Sequence, residues 1–369
     1  MHMTLRIVAV AGGIVLVFVA IGSAIKTVVL PRAVSSIVTR GVFLTVRRFF
    51  RLIARPSMPQ AKLDRRLAWY SPLGLVGILA AWLSLTLAWF TLIFWGVENV
   101  TLRQAFDESG SALFTLGLSR PSSFPGISFV FAEAAIGLFL LALLITYLPS
   151  IYTAFSRREL GVTALEIRAG SPPSGRELIW RFWALERMGH LNAVWLEWER
   201  WFVDIEETHT SLPAVAFFRS PQPDHHWVTA AGAVLDGAAL AVSTVDIERD
   251  VQAEFCLRAG YLCLRRIADF YNFAYDPNPS PDDPISVTRT EWDEAIAYLE
   301  GAGVPLKADR DQAWRDFSGW RVNYDAVLLA LANLTSAPPA PWSSDRSGAR
   351  PIRPRMFGGT VELPRGRPR

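Results

Sequence analysis

Residues with the chemistry to hold a metal ion gather in one stretch of the chain. Glu206 and His209 stand three apart and Glu199 precedes Glu206 by seven, so a helix would present all three on one face. Helical bundles hold metal ions with carboxylate and imidazole groups spaced in this way. Asp236, in an apolar run on another predicted helix, would complete a candidate metal set. A carboxylate-bridged site normally repeats the Glu-x-x-His pattern, and no second copy exists here. The competing reading is a polar network in which Glu206 or Asp236 pairs with His209 or Arg219. His225-His226 precedes an apolar helix and reads as a solvated loop or cap. Cys256 and Cys263 are seven apart on one predicted helix, about 10 Å along its axis, too far for an unstrained bridge. They read as reduced, buried cytosolic thiols. There is no phosphate-binding glycine loop, no Gly-x-Ser-x-Gly and no Cys/His zinc spacing, so neither an enzyme nor a cofactor is expected.

The elements that must position these residues are set by a membrane-like composition. The chain has 369 residues, 51% hydrophobic and only 19% charged, with a mean hydropathy of +0.24. Residues 7–29, 73–97 and 124–148 are each longer than the roughly 20 apolar residues that cross a bilayer. Residues 228–245 are apolar too, but Asp236 near their middle would cost about 3 kcal/mol at mid-bilayer, so a buried core helix is expected there. The first apolar run is too long for a signal peptide and is read as a true span.

Orientation follows from charge. Residues 31–72 carry nine Lys and Arg against Asp64 alone, which places this loop in the cytoplasm of a cell inner membrane. The N-terminus and residues 98–123 are then outside, and everything after Pro149 is cytoplasmic. Such segregation of charge suits a bilayer better than nucleic acid. Within the loop, residues 42–54 mix apolar and Arg positions at helical spacing, as expected of an amphipathic helix on anionic lipid. The plainer alternative is an extension of the first span packed on its neighbours.

Between the second and third spans, residues 101–114 predict a helix that starts on a capping threonine and is too short to cross. Thr115-Leu116-Gly117-Leu118-Ser119-Arg120 follows. Irregular backbone at membrane depth is tolerated only inside protein or along a water-filled cavity, so a re-entrant element is expected. The order of span, short helix, Thr-x-Gly strand and span resembles the pore module of the potassium-channel superfamily over about residues 73–156. The family's Thr-Val-Gly-Tyr-Gly-Asp filter lies over residues 115–120, where Thr115 and Gly117 match. Leu118 replaces its aromatic, Ser119 its second glycine and Arg120 its acid. The resemblance implies a homotetramer passing a monovalent cation through a non-standard filter of Thr115, Leu116, Gly117, Leu118 and Ser119. It puts Arg120, Asp107 and Glu108 at the outer mouth and Gly137, with Glu133 one turn before it, at a gating hinge, with Pro149 breaking the helix before the cytoplasm. Glu133 reads either as an acid hydrogen-bonded behind the filter or as a proton-sensitive gate. The alternatives are a simple extracellular hairpin and a non-conducting receptor or scaffold that kept a channel-like core.

The expected class is therefore an all-α membrane protein with four parts. Residues 1–72 hold the first span and the basic segment, 73–155 the pore module, 156–335 a cytoplasmic helical bundle and 336–369 a disordered Pro/Arg-rich tail. Helices are expected at 226–245, 247–273, 289–302 and 309–334, and the bundle would take an unidentified cytoplasmic ligand.

Overall fold

The computed structural model describes residues 2–30, 36–53, 60–220 and 222–346. Among these, every regular element is a helix; the only β pairing is an isolated bridge between Val245 and Leu306. The chain divides into two units, Met1–Thr153 and Ala154–Arg369.

Three helices are long and apolar enough to cross a membrane: α1 (His2–Val28), α4 (Tyr70–Val97) and α6 (Phe124–Ala169). In the first unit, Val17, Phe90, Ile93 and Phe94 pack at the α1–α4 contact, and the indole N–H of Trp82 donates to Ser23 Oγ at 3.1 Å. Such small polar residues join helices without breaking their apolar surfaces. Helix α2 (Ile37–Ile53) begins five residues before the stretch singled out in the sequence and lies against α4. Phe50 is buried there, whereas Phe49 and Leu52 remain exposed. Helix α3 (Gln60–Leu67) follows, and α5 (Leu102–Leu113) sits between α4 and α6.

The break expected at Pro149 does not occur, and α6 runs unbroken through it to Ala169. Proline removes one backbone donor, but the buried stripe of Leu140, Tyr147, Ile151, Ala154, Val162 and Leu165 keeps helical spacing on both sides. Packing along this stripe outweighs one lost hydrogen bond.

The second unit comprises the end of α6 followed by α7 (Gly175–Ala184), α8 (Leu191–Ser211), α9 (Trp227–Ser243), α10 (Val251–Phe270), α11 (Arg289–Gly301), α12 (Arg310–Arg321) and α13 (Asp325–Thr335). Helix α9 is buried almost throughout, and α7, α10, α12 and α13 pack around it. Trp195, Trp198, Phe202, Trp227, Trp292 and Phe317 fill the core.

Two expectations need correction. The single helix expected at 309–334 is two helices. Arg265 draws the Asn323 carbonyl and side chain toward α10, and Tyr324 reaches Asp236 with its hydroxyl, so the chain turns between Arg321 and Asp325. The tail expected to be disordered from 336 is packed through Arg346. Ala340 and Ser343 are buried, Arg321 donates to the carbonyl of Trp342, and Arg346 pairs with Glu291 at 3.0 Å. Apolar Trp342 and a paired arginine outweigh the local proline content. The rest of the tail, residues 347–369, lies outside the described residues.

Candidate pore element

Helix α5 is started by its own sequence. The Gln104 N–H donates to Thr101 Oγ1 at 3.3 Å, and the Thr101 N–H donates to the Gln104 side chain at 3.0 Å, a reciprocal capping box. Its 12 residues rise about 18 Å, well short of the 30 Å of a bilayer core. Ala105, Ser109, Ser111 and Ala112 form a face small enough to lie close to other helices, and all four are buried. Ala105 joins Phe90 and Phe94 of α4 in one apolar cluster.

On the α6 side, Gly137 meets the last turn of α5. A Cβ added there would stand 2.7 Å from the Leu113 carbonyl oxygen, so the approach requires glycine. Gly137 lies inside an unbroken helix. One turn earlier, Glu133 Oε1 is 2.6 Å from Ser109 Oγ, and Ser109 Oγ is also 3.1 Å from the Leu87 carbonyl of α4. Three helices thus meet at one buried serine.

Past Leu113 the chain bends back. The Thr115 N–H donates to the Ala112 carbonyl at 3.1 Å and the Leu116 N–H to that of Ser111 at 2.8 Å. Thr115 and Gly117 both take left-handed backbone, at φ of 53° and 69°. Glycine adopts this freely, whereas a β-branched residue pays for it. The Ser119 N–H returns to Ser111 Oγ at 3.0 Å, which ties the loop to its helix. Thr115, Leu116, Gly117 and Leu118 are exposed, Leu118 to 82%, and Ser119 is half-buried.

The residues assigned to the outer mouth separate. Asp107 and Arg120 are exposed, but Glu108 is buried, with its Oε2 unpartnered among the described residues. Alternation around α5 explains this, since Glu108 shares the inward face of Ala105 and Ala112. Neither Arg103 nor Arg120 is ion-paired among the described residues. Sequence reasoning missed the part played by Glu98. At the end of α4 it accepts from the N–H and hydroxyl of Ser122, at 3.3 and 3.4 Å, and from the Ser123 hydroxyl, while Ser123 in turn accepts from the Gly126 N–H. An acid beside the first turn of α6 is favoured by the helix dipole. The signal was there in Glu98 and the serine pair, but nothing in the sequence brings them together.

The candidate metal set does not assemble. Glu199 accepts from the Gln252 amide, Glu206 pairs with Arg266 at 2.5 Å, and Asp236 is held by Arg321 and by the Tyr324 hydroxyl, 2.7 Å away. His209 is buried against Trp227, 4.7 Å between ring centres, with Nδ1 3.1 Å from Thr208 Oγ1. No group of three or more His, Cys, Asp or Glu able to hold a metal occurs among the described residues. Two of the acids, Glu206 and Asp236, are each paired with an arginine instead. Arg219 donates to the Thr335 carbonyl at 2.9 Å, while Glu206 and Asp236 have Arg266 and Arg321 as their partners.

His225 and His226 are buried rather than solvated. His226 does cap α9, its Nδ1 accepting from the Val228 N–H at 3.2 Å, and His225 Nε2 meets Glu166 at 2.9 Å. Burial pushes His209 and His226 well below the ordinary histidine range, and the nearby Arg158 adds to this. Burial likewise raises the Cys256 and Cys263 thiols, which keeps them protonated. No family model, curated protein or solved structure matches the chain.

Proposed function

We propose that the protein is a homotetrameric pore-loop cation channel of a cell inner membrane, with α5 as a re-entrant pore helix and the second unit as a cytoplasmic regulatory bundle. The observation that carries this reading is the short capped α5, clasped between two span-length helices and followed by a loop with left-handed turns at Thr115 and Gly117. The carbonyls of four such loops, turned toward a common axis, would replace an ion's hydration shell. Four such loops around an axis would line a path with Thr115, Leu116, Gly117 and Leu118, and the negative ends of the four helices would favour a cation beneath it. Exposure of Leu116 and Leu118 on the single chain fits surfaces that neighbouring subunits cover. Arg120 at the mouth makes selectivity differ from that of an acid-flanked filter.

The topology that goes with this has the N-terminus outside and the C-terminus in the cytoplasm. The amphipathic α2, with Arg40 and Arg48, would rest on anionic lipid at the inner leaflet.

Flux into liposomes holding the full chain tests the proposal, with potassium, sodium and chloride gradients compared. Gly117→Ala is the control, because an added Cβ there meets no atom within 4 Å and disturbs only the left-handed backbone. Cation flux in the wild type, lost in Gly117→Ala from an intact assembly, is the expected result. Unaltered flux in the variant overturns the filter assignment. No flux under any gradient, from folded and assembled protein, favours a non-conducting receptor instead.

A further inference from the structure

Glu133 is fully buried, and its second carboxyl oxygen, Oε2, is enclosed and unpartnered among the described residues. Among the described residues its hydrogen-bond partner is Ser109, and the proton count around that serine is short. Ser109 Oγ makes two close oxygen contacts, 2.6 Å to Glu133 Oε1 and 3.1 Å to the Leu87 carbonyl. Both lie within hydrogen-bond range, and a hydroxyl has a single proton, which serves both only as a weaker, shared bond. An ionised carboxylate only accepts and brings none. A carboxylic acid brings the missing proton: Glu133 donates to Ser109, and Ser109 donates to the Leu87 carbonyl, which Thr91 Oγ1 also reaches at 2.7 Å.

Burial argues the same way. A carboxylate in an apolar interior needs a cation or several donors beside it. Among the described residues the hydrogen-bond partner of Glu133 is the uncharged Ser109 hydroxyl of α5, and no ion pair reaches it. A neighbouring subunit cannot supply a cation either, because Oε2 is sealed within a single chain.

We infer that Glu133 is a neutral carboxylic acid that acts as a positioning residue for the ion path, its proton linking α6 through Ser109 to α4. Two residues beyond Ser109, Ser111 accepts from the Ser119 N–H, so the seat of α5 sets the seat of the loop. This inference rests on the channel reading for its consequence, though not for the state of the acid.

The experiment pairs infrared spectroscopy with flux on the full chain in liposomes. At neutral pH the wild type should show a carboxylic-acid C=O band that Glu133→Gln removes and Ser109→Ala shifts upward through loss of its hydrogen bond. Gln presents an N–H in place of the acid O–H, so Glu133→Gln should keep wild-type flux and ion order between about pH 5 and pH 8. Glu133→Ala, which leaves Ser109 without its donor, should lose about tenfold in flux while still assembling. Absence of the band at neutral pH, or impaired flux in Glu133→Gln, overturns the inference. Wild-type protein with the band but no flux overturns the channel reading and leaves the neutral acid established.

Discussion

The guanidinium of Arg321 is buried where several elements of the second unit meet. It has no exposed surface and binds Asp236, Asp325 at 2.9 Å and the Trp342 carbonyl, and so joins α9, α12, α13 and the segment after α13. Burial raises the Asp236 carboxyl, and the adjacent Arg321 pulls it back toward the ionised form. Removing one partner of a buried pair leaves the other charge uncompensated. Arg321→Met should therefore cost about 3 to 5 kcal/mol, read as a lower midpoint in thermal unfolding followed by tryptophan fluorescence. Replacing Asp236 as well, by Leu, should recover part of that loss, whereas additive losses would show that the arginine acts by shape rather than charge. The sequence marks Asp236 as an oddity in an apolar run but does not say what faces it. Metal ligand and ion-pair partner look alike until the chain brings Arg321 close from 85 residues away. His209 and His226 carry a second residue-scale consequence. Both are held neutral in the fold, below their ordinary range, so unfolded protein binds protons that folded protein refuses. Their stabilising effect is present above about pH 6.5 and is lost as pH falls below it, by about 1.4 kcal/mol per pH unit for each histidine. Unfolding midpoints measured from pH 7 down to pH 5.5 should fall steeply, and His209→Gln should reduce the slope. A flat profile would mean that water reaches the rings.

At the scale of elements, what was legible is what local chemistry determines. Thr101 and Gln104 announce the start of α5, and three long apolar runs announce α1, α4 and α6. What was not legible is what partners decide. Pro149 signals an end that the continuous buried stripe of α6 overrules, and the turn at residues 322–324 depends on Arg265 and Asp236, both distant in sequence. The clamp between α4 and α6 is of this second kind. Because Glu98 gathers Ser122 and Ser123 at the first turn of α6, Glu98→Ala should loosen that end. Amide exchange at residues 124–128 should rise by about five- to tenfold, the loss of a charge-assisted hydrogen bond. Exchange confined to its wild-type rate would show that Pro121 and the apolar packing suffice.

At the scale of the whole molecule, the charge distribution and the packing of the thiols together allow the proposed topology to be decided. The basic stretch between α1 and α4 argues for a cytoplasmic loop, which forces residues 98–123 to the opposite side together with the loop that follows α5. Both native cysteines are buried in α10, and burial raises their thiols, so neither presents a thiolate to a reagent. Reporter cysteines can accordingly be placed in an otherwise silent chain. Asp107→Cys, on the exposed side of α5, should react with a membrane-impermeant maleimide in intact cells, and Glu294→Cys, exposed on α11, should react only after lysis. The reverse pattern would place the second unit outside the cell and remove the basis for reading it as a cytoplasmic regulator. Labelling of both in intact cells would show that the long apolar helices do not separate the two sites. The channel reading needs the first pattern, because only then do the C-terminal ends of the four short helices face a cavity that opens toward the cytoplasm.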